Sequence, residues 1–287
     1  MREISRLPTP DFRLTPTEYV GPVAHLWATV LATARGSIKR FNAYLIDVIR
    51  WPLYPLIAFA TWRLTYAVSG HASVGGVDPS SFLLVGMVGM ITWSATLWAG
   101  GYAIEHERYE GTIGALFLSP ASRAAVVAGY GLGGFVWVLP SFVVVTILGF
   151  ATGARLHVAD PLALAGAVLA LLLASLGTGF AFASLFVLSR RANLLANFLQ
   201  LPASLLAGFL IPRASLPGWL YPLSNAIPVS HALDALRASA LTGATLGDVG
   251  GALAWALGLA ALYALVGAVS LRRVEYAAKR TGQLELY

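Results

Sequence analysis

Long apolar segments limit the folds that this sequence can adopt. A helix needs about 20 apolar residues to cross the hydrocarbon core of a bilayer, and several runs of this length occur along the chain. Hydrophobic residues make up 57% of the sequence and charged residues 11%, whereas a soluble domain carries roughly 25% charged residues. In lipid, helices satisfy all of their own backbone hydrogen bonds. The sequence therefore predicts an all-α integral membrane protein.

The apolar segments predict six transmembrane helices. Their expected boundaries are 51–70, 81–104, 121–153, 161–188, 193–211 and 249–271. The third is longer than a bilayer requires and contains Pro140, so we expect it to be tilted or kinked. After the fifth, residues 212–248 contain repeated prolines and two apolar pieces too short to span. These pieces predict short re-entrant or interfacial helices at 216–224 and 229–241.

The first 50 residues differ from the rest of the chain. Residues 1–20 contain prolines and scattered charges, and no early apolar segment resembles a signal peptide. From about residue 18 to residue 50, apolar residues recur at helical spacing, while Arg35, Lys39 and Arg40 lie on the other side. This pattern predicts a basic amphipathic helix in the membrane interface. Packing of the helix on a soluble partner is the alternative.

The distribution of positive charge predicts the orientation in the membrane. Of the 19 Lys and Arg residues, only Arg155, Arg213 and Arg237 lie in loops on one side of the six predicted spans. The positive-inside rule then places both termini in the cytoplasm of a multi-pass plasma-membrane protein. The net charge of +6 is explained by residues that flank the spans and does not indicate binding to nucleic acid.

The expected organisation has three parts. Residues 1–50 form a cytoplasmic tail with the amphipathic helix, residues 51–271 form the six-span membrane domain, and residues 272–287 form a second cytoplasmic tail.

A charged segment interrupts the apolar sequence between the second and third predicted spans. Residues 105–123 read EHERYEGTIGALFLSPASR and include Glu105, Glu107 and Glu110, three of the chain's 13 acidic residues. The predicted orientation places this segment in the cytoplasm. A carboxylate cluster there indicates contact with a partner, and an ordinary polar turn is the alternative.

The same segment predicts a short helix across the cytoplasmic face. Gly111 can end the helix of the second span, and Thr112 can cap a new helix with Leu116 on its apolar side. Pro120 ends that helix, and Ser119 is expected to cap the third span with Pro120 at its first position. The apolar side chains could enter a groove on a partner.

Other motifs exclude several kinds of chemistry. Neither of the two lysines, Lys39 and Lys279, lies in a GxxxxGK[ST] sequence, so any nucleotide that drives the protein is bound by another polypeptide. Cysteine is absent, which excludes thiolate metal sites and a cysteine nucleophile. We predict no catalytic residue, cofactor site or metal site in this chain. His231, Asp234 and Arg237 recur on one helical face, where a structural polar face is a better interpretation than a catalytic set.

Two groups of motifs resemble the ABC-2 type permeases, the membrane subunits of ATP-binding cassette exporters. The first is ERYEGT at 107–112, followed by Leu116, Ser119-Pro120 and Arg123; the second is FLIP at 209–212, followed by LPGWL at 216–220, Pro228 and Leu236-Arg237. The resemblance covers roughly residues 25 to 275. Gly114 stands where the family often has an acidic residue.

The resemblance implies how the chain is driven. In that family the loop after the second span is a coupling helix, here about 105–120, that docks on a nucleotide-binding subunit. This implies a partner-coupling role for Glu107, Glu110, Gly111, Thr112, Leu116 and Pro120. It also implies two ATPase subunits, which hold ATP and Mg, and a second permease subunit in a homodimer or heterodimer. Two such permease subunits would face each other around the transport path.

Two features inside the predicted spans allow more than one interpretation. Arg63 could line a transport path or bind an anionic lipid headgroup, or it could lie at the outer end of its span and extend to the interface beside Trp62 and Tyr66. Gly129 and Gly133 form a GxxxG motif, which permits close helix packing within the chain or between two subunits.

The resulting hypothesis is a permease subunit that moves a lipid-like, drug or glycan substrate outward and is not itself an enzyme. The alternative is a self-contained secondary transporter or channel. That class expects ion-coupling carboxylates inside the spans, and the predicted spans contain no Asp or Glu. An intramembrane enzyme would need a convergent acid–base or metal set, for which only His231 and Asp234 are available.

Overall fold

The structure is a computed structural model that describes residues 22–42, 45–101, 107, 110–112, 119, 121–188 and 192–281. The regular elements in these ranges are helices, and no strand occurs among them. An isolated bridge joins Val74 and Val77 in the loop that follows the first predicted span. The all-helical class predicted from the sequence is therefore confirmed.

Ten α-helices are numbered here in chain order over the described residues. They are α1 Pro22–Asn42, α2 Leu45–Val68, α3 Pro79–Ala95, α4 Arg123–Trp137, α5 Leu139–Ala151, α6 Pro161–Leu188, α7 Ala192–Leu206, α8 Tyr221–Asn225, α9 Pro228–Leu241 and α10 Leu246–Thr281. A π-helix, Thr96–Gly101, continues α3, and a short 3₁₀-helix, Arg213–Ser215, precedes α8.

Four helical segments in the described ranges are long and apolar enough to cross a membrane. They are Pro79–Gly100, Arg123–Ala151, Pro161–Phe186 and Leu246–Arg273, which correspond to the predicted spans two, three, four and six. Helix α2 has 24 residues but carries Pro52, Pro55 and Arg63. Helix α7 has 15 residues, which reach about 22 Å at 1.5 Å per residue. The chain is a multi-pass membrane protein, and the count of six spans stays a prediction.

Several helix ends differ from the predicted boundaries. The third predicted span is divided at Val138, directly before the helix whose first turn contains Pro140, because proline disrupts a continuing helix. The described residues of the amphipathic segment expected over 18–50 are helical and belong to α1 and to the start of α2. Helix α10 continues to Thr281, beyond the predicted end of the sixth span at 271.

Helix α3 occupies the centre of the bundle. Nearly all of its residues are buried, and it packs against α2, α5, α6 and α9. Gly86 permits the closest of these contacts, since a methyl group at this position would lie 1.9 Å from the carbonyl oxygen of Phe209. The fully buried side chains of Leu83, Met87 and Phe209 belong to the same core.

Helices α6 and α10 pack along each other through glycines. A methyl group at Gly177 would lie 2.4 Å from the carbonyl oxygen of Ala260, and one at Gly267 would lie 2.4 Å from the backbone of Phe180. Asp160 joins the two helix starts, since its carboxylate accepts hydrogen bonds from the Leu246 N–H at 2.8 Å and from the first turn of α6. These hydrogen bonds, with that of Leu246 the strongest, hold the pKa of Asp160 below its ordinary value.

Helix α1 packs against α4 through the GxxxG motif. Gly129 lies against Val30 and Thr33, and Gly133 lies against Ser37. The motif therefore makes a contact within the chain. On other sides of α1, the apolar side chains of Val23, Leu26, Trp27 and Leu31 and the basic side chains of Arg35 and Lys39 are exposed. This distribution agrees with the predicted amphipathic helix.

Candidate coupling site

The coupling loop is defined here as residues 102–122, between the π-helix and α4. Its described residues are Glu107, Glu110–Thr112, Ser119 and residues 121–122. Leu116 and Pro120, which the family resemblance assigned to the coupling helix, lie outside the described residues, as does most of the predicted helix over 105–120.

Gly111 ends a helical turn at the start of this loop. Its φ of 70° lies in the left-handed region that favours glycine, and the Thr112 N–H donates a hydrogen bond to the Glu107 carbonyl oxygen at 3.0 Å. A glycine in this conformation with a hydrogen bond across six residues is the Schellman form of helix end. This geometry places Gly111 at the end of the helical turn that contains Glu107, and residues 102–106, between this turn and the second predicted span, lie outside the described residues.

Thr112 turns its hydroxyl back toward Glu107. The hydroxyl donates to the Glu107 carbonyl oxygen at 3.2 Å and to the Glu107 carboxylate at 2.5 Å. Thr112 was predicted to cap the following helix, whose residues lie outside the described ranges. In the structure its hydroxyl reinforces the end of the preceding helical turn.

Glu107 is fixed to the third predicted span. Its Oε1 accepts a hydrogen bond from the hydroxyl of Tyr130 at 2.5 Å, and Tyr130 is only 2% exposed within α4. The Glu107 carboxylate is therefore oriented into the protein between Thr112 and Tyr130. Sequence reasoning missed Tyr130, because no local pattern links two residues 23 positions apart.

Glu110 lies at the surface together with Gly111 and Thr112. The three residues form an exposed turn. Glu107 connects this turn to α4, because its carboxylate accepts hydrogen bonds from Thr112 and from Tyr130. A carboxylate at such a turn can pair with a basic side chain on a partner, and neighbouring backbone groups can add hydrogen bonds. The structure thus separates two glutamates that the sequence motif presents as equivalent.

The segment that leads into the loop packs tightly on α4. A methyl group at Gly100 would lie 3.6 Å from the Cα of Gly131, and one at Gly134 would lie 2.6 Å from the Cβ of Ala99. The segment is a π-helix, which in other proteins frequently marks functional sites. A displacement of the coupling loop would therefore act on both α3 and α4.

Helix α4 starts later than the sequence suggested. Ser119 was predicted to cap this span with Pro120 as its first residue, but the residue at the cap position is Ser122 and the helix begins at Arg123. The Ser119 hydroxyl instead accepts a hydrogen bond from the Ala121 N–H at 3.3 Å. This local turn satisfies the backbone before the helix starts, which explains the difference.

Arg63 lies at the opposite end of the bundle from the coupling loop. Its Nε donates to the Ser80 hydroxyl at 2.9 Å, and that hydroxyl donates to the Thr152 carbonyl oxygen at 3.0 Å. Ser80 is in the first turn of α3 and Thr152 directly follows α5. This position favours the interpretation of Arg63 as a residue near the membrane interface that joins the ends of three helices.

A cluster of charges holds the segment between α7 and α10 onto the bundle. Arg213, which is 7% exposed, forms an ion pair with Asp234 and donates hydrogen bonds to Asn225 and to the Ser224 hydroxyl. Burial raises the pKa of the Asp234 carboxyl, and the charge of Arg213 opposes that effect. His231 is directed elsewhere, with its Nε2 2.9 Å from the Asn225 carbonyl oxygen.

Arg237 connects the same segment to α3. Its guanidinium lies 3.8 Å from the centre of the Phe82 ring and donates to the Phe209 carbonyl oxygen at 3.2 Å. Burial lowers the pKa of Arg237 to about 10, so the side chain remains charged at neutral pH. His231, Asp234 and Arg237 thus each have separate structural partners. Among the described residues, no group of three or more His, Asp or Glu side chains could hold a metal ion.

The bundle of long apolar helices defines an integral multi-pass membrane protein. The chain belongs to the ABC-2 type transporter family, whose family model matches residues 26–241. Members of this family are transport subunits that are not themselves catalytic and that generally work with an ATPase subunit.

Two curated relatives are drug-resistance permeases. The chain is 26% identical over 247 residues to the daunorubicin resistance ABC transporter permease protein DrrB1 of Streptomyces coeruleorubidus, covering 84% of this chain and 82% of that protein. It is 38% identical over 64 residues to a probable doxorubicin resistance ABC transporter permease protein DrrC of Mycobacterium tuberculosis, covering 22% of this chain and 23% of that protein.

Proposed function

We propose that this chain is the permease subunit of an ABC exporter and moves its substrate outward with ATP hydrolysed by a separate nucleotide-binding subunit. The observation that carries the proposal is the position of the coupling loop. The loop directly follows α3 and the π-helix. These two elements form the most buried candidate span, with 89% of an 18-residue stretch buried. The exposed turn of the loop is anchored to α4 by the hydrogen bond between Glu107 and Tyr130.

The mechanism follows from this connection. The ATPase subunit holds ATP and Mg, and its movement would push or pull the exposed turn at Glu110. Because Glu107 is bonded to Tyr130, and Gly100 and Gly134 bring the π-helix close to α4, the turn would move α3 and α4 together. Since α3 touches helices on several sides, a shift of this helix would rearrange the centre of the bundle.

The proposed assembly contains two permease subunits and two ATPase subunits. The proposed topology has six spans. Both termini and the coupling loop lie in the cytoplasm, and α8 and α9 are re-entrant helices. The exposed apolar side chains of α2 and α7 support a large surface toward lipid or a second permease subunit; they include Leu53, Ile57, Leu194, Phe198 and Leu201.

The proposed substrate is an amphipathic drug or a lipid-like molecule. The names of the two relatives refer to resistance to daunorubicin and doxorubicin, and this favours a drug over a glycan. The four candidate spans in the described ranges contain one acidic residue, Asp248. It lies in the first turn of α10, and its carboxylate accepts hydrogen bonds from Thr245. An ion-coupled mechanism therefore has little support.

Charge reversal at Glu110 tests the coupling role. We expect Glu110→Lys to fold and insert normally but to separate ATP hydrolysis from transport, because the exposed carboxylate would no longer pair with the ATPase subunit. The measurements are substrate efflux and ATP hydrolysis by the reconstituted complex. Arg155→Glu is the control, since it reverses an exposed charge in a loop at the opposite end.

Two results would count against the proposal. Normal efflux by the Glu110→Lys variant would remove the coupling role of this turn. Reproducible purification of an active transporter without any ATPase subunit would favour a self-contained transporter instead.

A further inference from the structure

A cavity of about 220 Å³ lies where the first turn of α4 meets the later turns of α10. Two arginines line it together with small and apolar residues, and the full lining is Ala121, Ser122, Arg123, Ala124, Ala268, Leu271 and Arg272. The exposed turn at Glu110 is not part of it. The proposed transport mechanism gives this cavity no role.

The two arginines supply positive charge from different helices. Arg123 is 7% exposed, and its Nη1 donates to the carbonyl oxygens of Ala121 at 2.6 Å and Ser119 at 3.4 Å, which fixes its direction. Arg272 is exposed on α10. Guanidinium groups match the geometry of phosphate oxygens and bind them through paired hydrogen bonds.

The start of α4 adds to the positive potential. Ser122 occupies the cap position without a side-chain capping hydrogen bond, and Ser122, Arg123 and Ala124 all border the cavity. Backbone N–H groups in the first turn of a helix carry partial positive charge and favour anions. Together with the two arginines, this makes the cavity suited to a compact anion.

The depth of the cavity relates it to the membrane surface. Arg123 is the first residue of one candidate span, and Arg272 lies next to the last residue of another. Both therefore lie where apolar helix gives way to polar sequence, the level at which phospholipid phosphates are found. From this level the exposed apolar side chains of Leu265, Val266 and Val269 continue along α10 and can contact acyl chains.

We infer that this cavity binds a phosphate group, and that the group belongs to the headgroup of an anionic phospholipid. Arg123 and Arg272 contact the phosphate oxygens, and the small side chain of Ala268 leaves the space that the phosphate fills. A bound lipid would join the start of α4 to the later turns of α10 beside the coupling loop.

The test measures lipid binding by the purified full-length protein in detergent, by native mass spectrometry with added phosphatidylglycerol. We expect Arg272→Gln to weaken binding roughly fivefold, the effect of one basic residue near an anionic headgroup. Ala268→Phe, which fills the cavity without changing the charge, should weaken binding by a similar factor. Diacylglycerol with the same acyl chains should show no loss in either variant, because it has no phosphate.

Matched variants on α10 serve as controls. Arg273→Gln removes an exposed charge outside the cavity, and Ala261→Phe enlarges an exposed residue outside it. Both should weaken binding clearly less than Arg272→Gln and Ala268→Phe do. Equal losses at Arg272 and Arg273, or full binding by a folded Ala268→Phe variant, would overturn the site. Displacement of phosphatidylglycerol by millimolar inorganic phosphate would overturn the lipid assignment in favour of a soluble phosphate.

Discussion

At the scale of single residues, Glu107 and Glu110 show that identical side chains three positions apart have different environments. Glu107 is half-buried and accepts hydrogen bonds from Thr112 and Tyr130, and Glu110 is more exposed to solvent. The sequence could predict the role of Gly111, because a helix that stops in the left-handed region favours glycine. It could not predict the hydrogen bond between Glu107 and Tyr130, since such pairs depend on how two helices pack.

Removal of the Tyr130 hydroxyl tests whether Glu107 anchors the coupling loop. We expect Tyr130→Phe to lower the free energy of unfolding by about 1.5–3 kcal/mol, the usual contribution of a hydrogen bond to a charged group. We also expect it to reduce efflux per ATP hydrolysed. Unfolding in detergent and the efflux-to-hydrolysis ratio are the measurements.

Tyr263→Phe is the matched control for that change. The Tyr263 hydroxyl donates to the Ala226 carbonyl oxygen at 3.1 Å, far in sequence from the coupling loop. This variant should lose some stability and keep the normal ratio of efflux to hydrolysis. If both variants changed the ratio equally, the effect would be one of general stability and not of the anchored loop.

At the scale of helices, the sequence predicted some boundaries well and others poorly. Helix α6 begins at the predicted residue, Pro161, because proline is favoured in the first turn of a helix. Helix α10 extends past the predicted end at 271 because Arg272 and Arg273 end the apolar segment without ending the helix. A span ends where hydropathy falls, whereas a helix ends where the backbone meets a residue such as glycine or proline.

The contact between α3 and the Phe209 backbone should be sensitive to one methyl group. We expect Gly86→Ala to lower the free energy of unfolding by about 1–3 kcal/mol, the typical cost of overpacking, because the methyl group would lie 1.9 Å from the Phe209 carbonyl oxygen. Gly258→Ala is the control, since nothing lies within 4 Å of a methyl group there. Chemical unfolding of both variants in detergent is the measurement, and equal stabilities would show that α3 does not pack this closely.

At the scale of the whole molecule, hydropathy indicates which segments are apolar but not which one is central. An 18-residue stretch of Pro79–Gly100 has a mean hydropathy of 1.6 with 89% of the stretch buried, whereas the corresponding stretch of Leu246–Arg273 has a mean hydropathy of 2.1 with 17% buried. Lipid chains are as apolar as leucine side chains, so a helix in the core and a helix facing lipid can have similar compositions. The family resemblance supplied the expected architecture, and the central position of α3 came only from the structure.

The natural absence of cysteine permits a direct test of the proposed topology. Single cysteines at the exposed positions Ser73 and Ala159 should react with a membrane-impermeant maleimide on intact cells. Cysteines at Glu110 and Arg273, also exposed, should react only after the cells are permeabilised, because the positive-inside rule places them in the cytoplasm. Labelling in the reverse pattern would invert the topology, and labelling of Ser73 and Glu110 from the same side would contradict the proposed second span.

The burial of α3 also has a consequence for how the protein is made. Three of the four helices named above as neighbours of α3, namely α5, α6 and α9, follow it in the chain, so a ribosome completes α3 before most of its partners exist. During synthesis this helix must rest in lipid or against the insertion machinery and move into the bundle afterwards. Most of its side chains are apolar and therefore suitable for lipid at that stage. Gly86 and Gly89 leave a groove that remains open until the segment with Phe209 and Leu233 is synthesised.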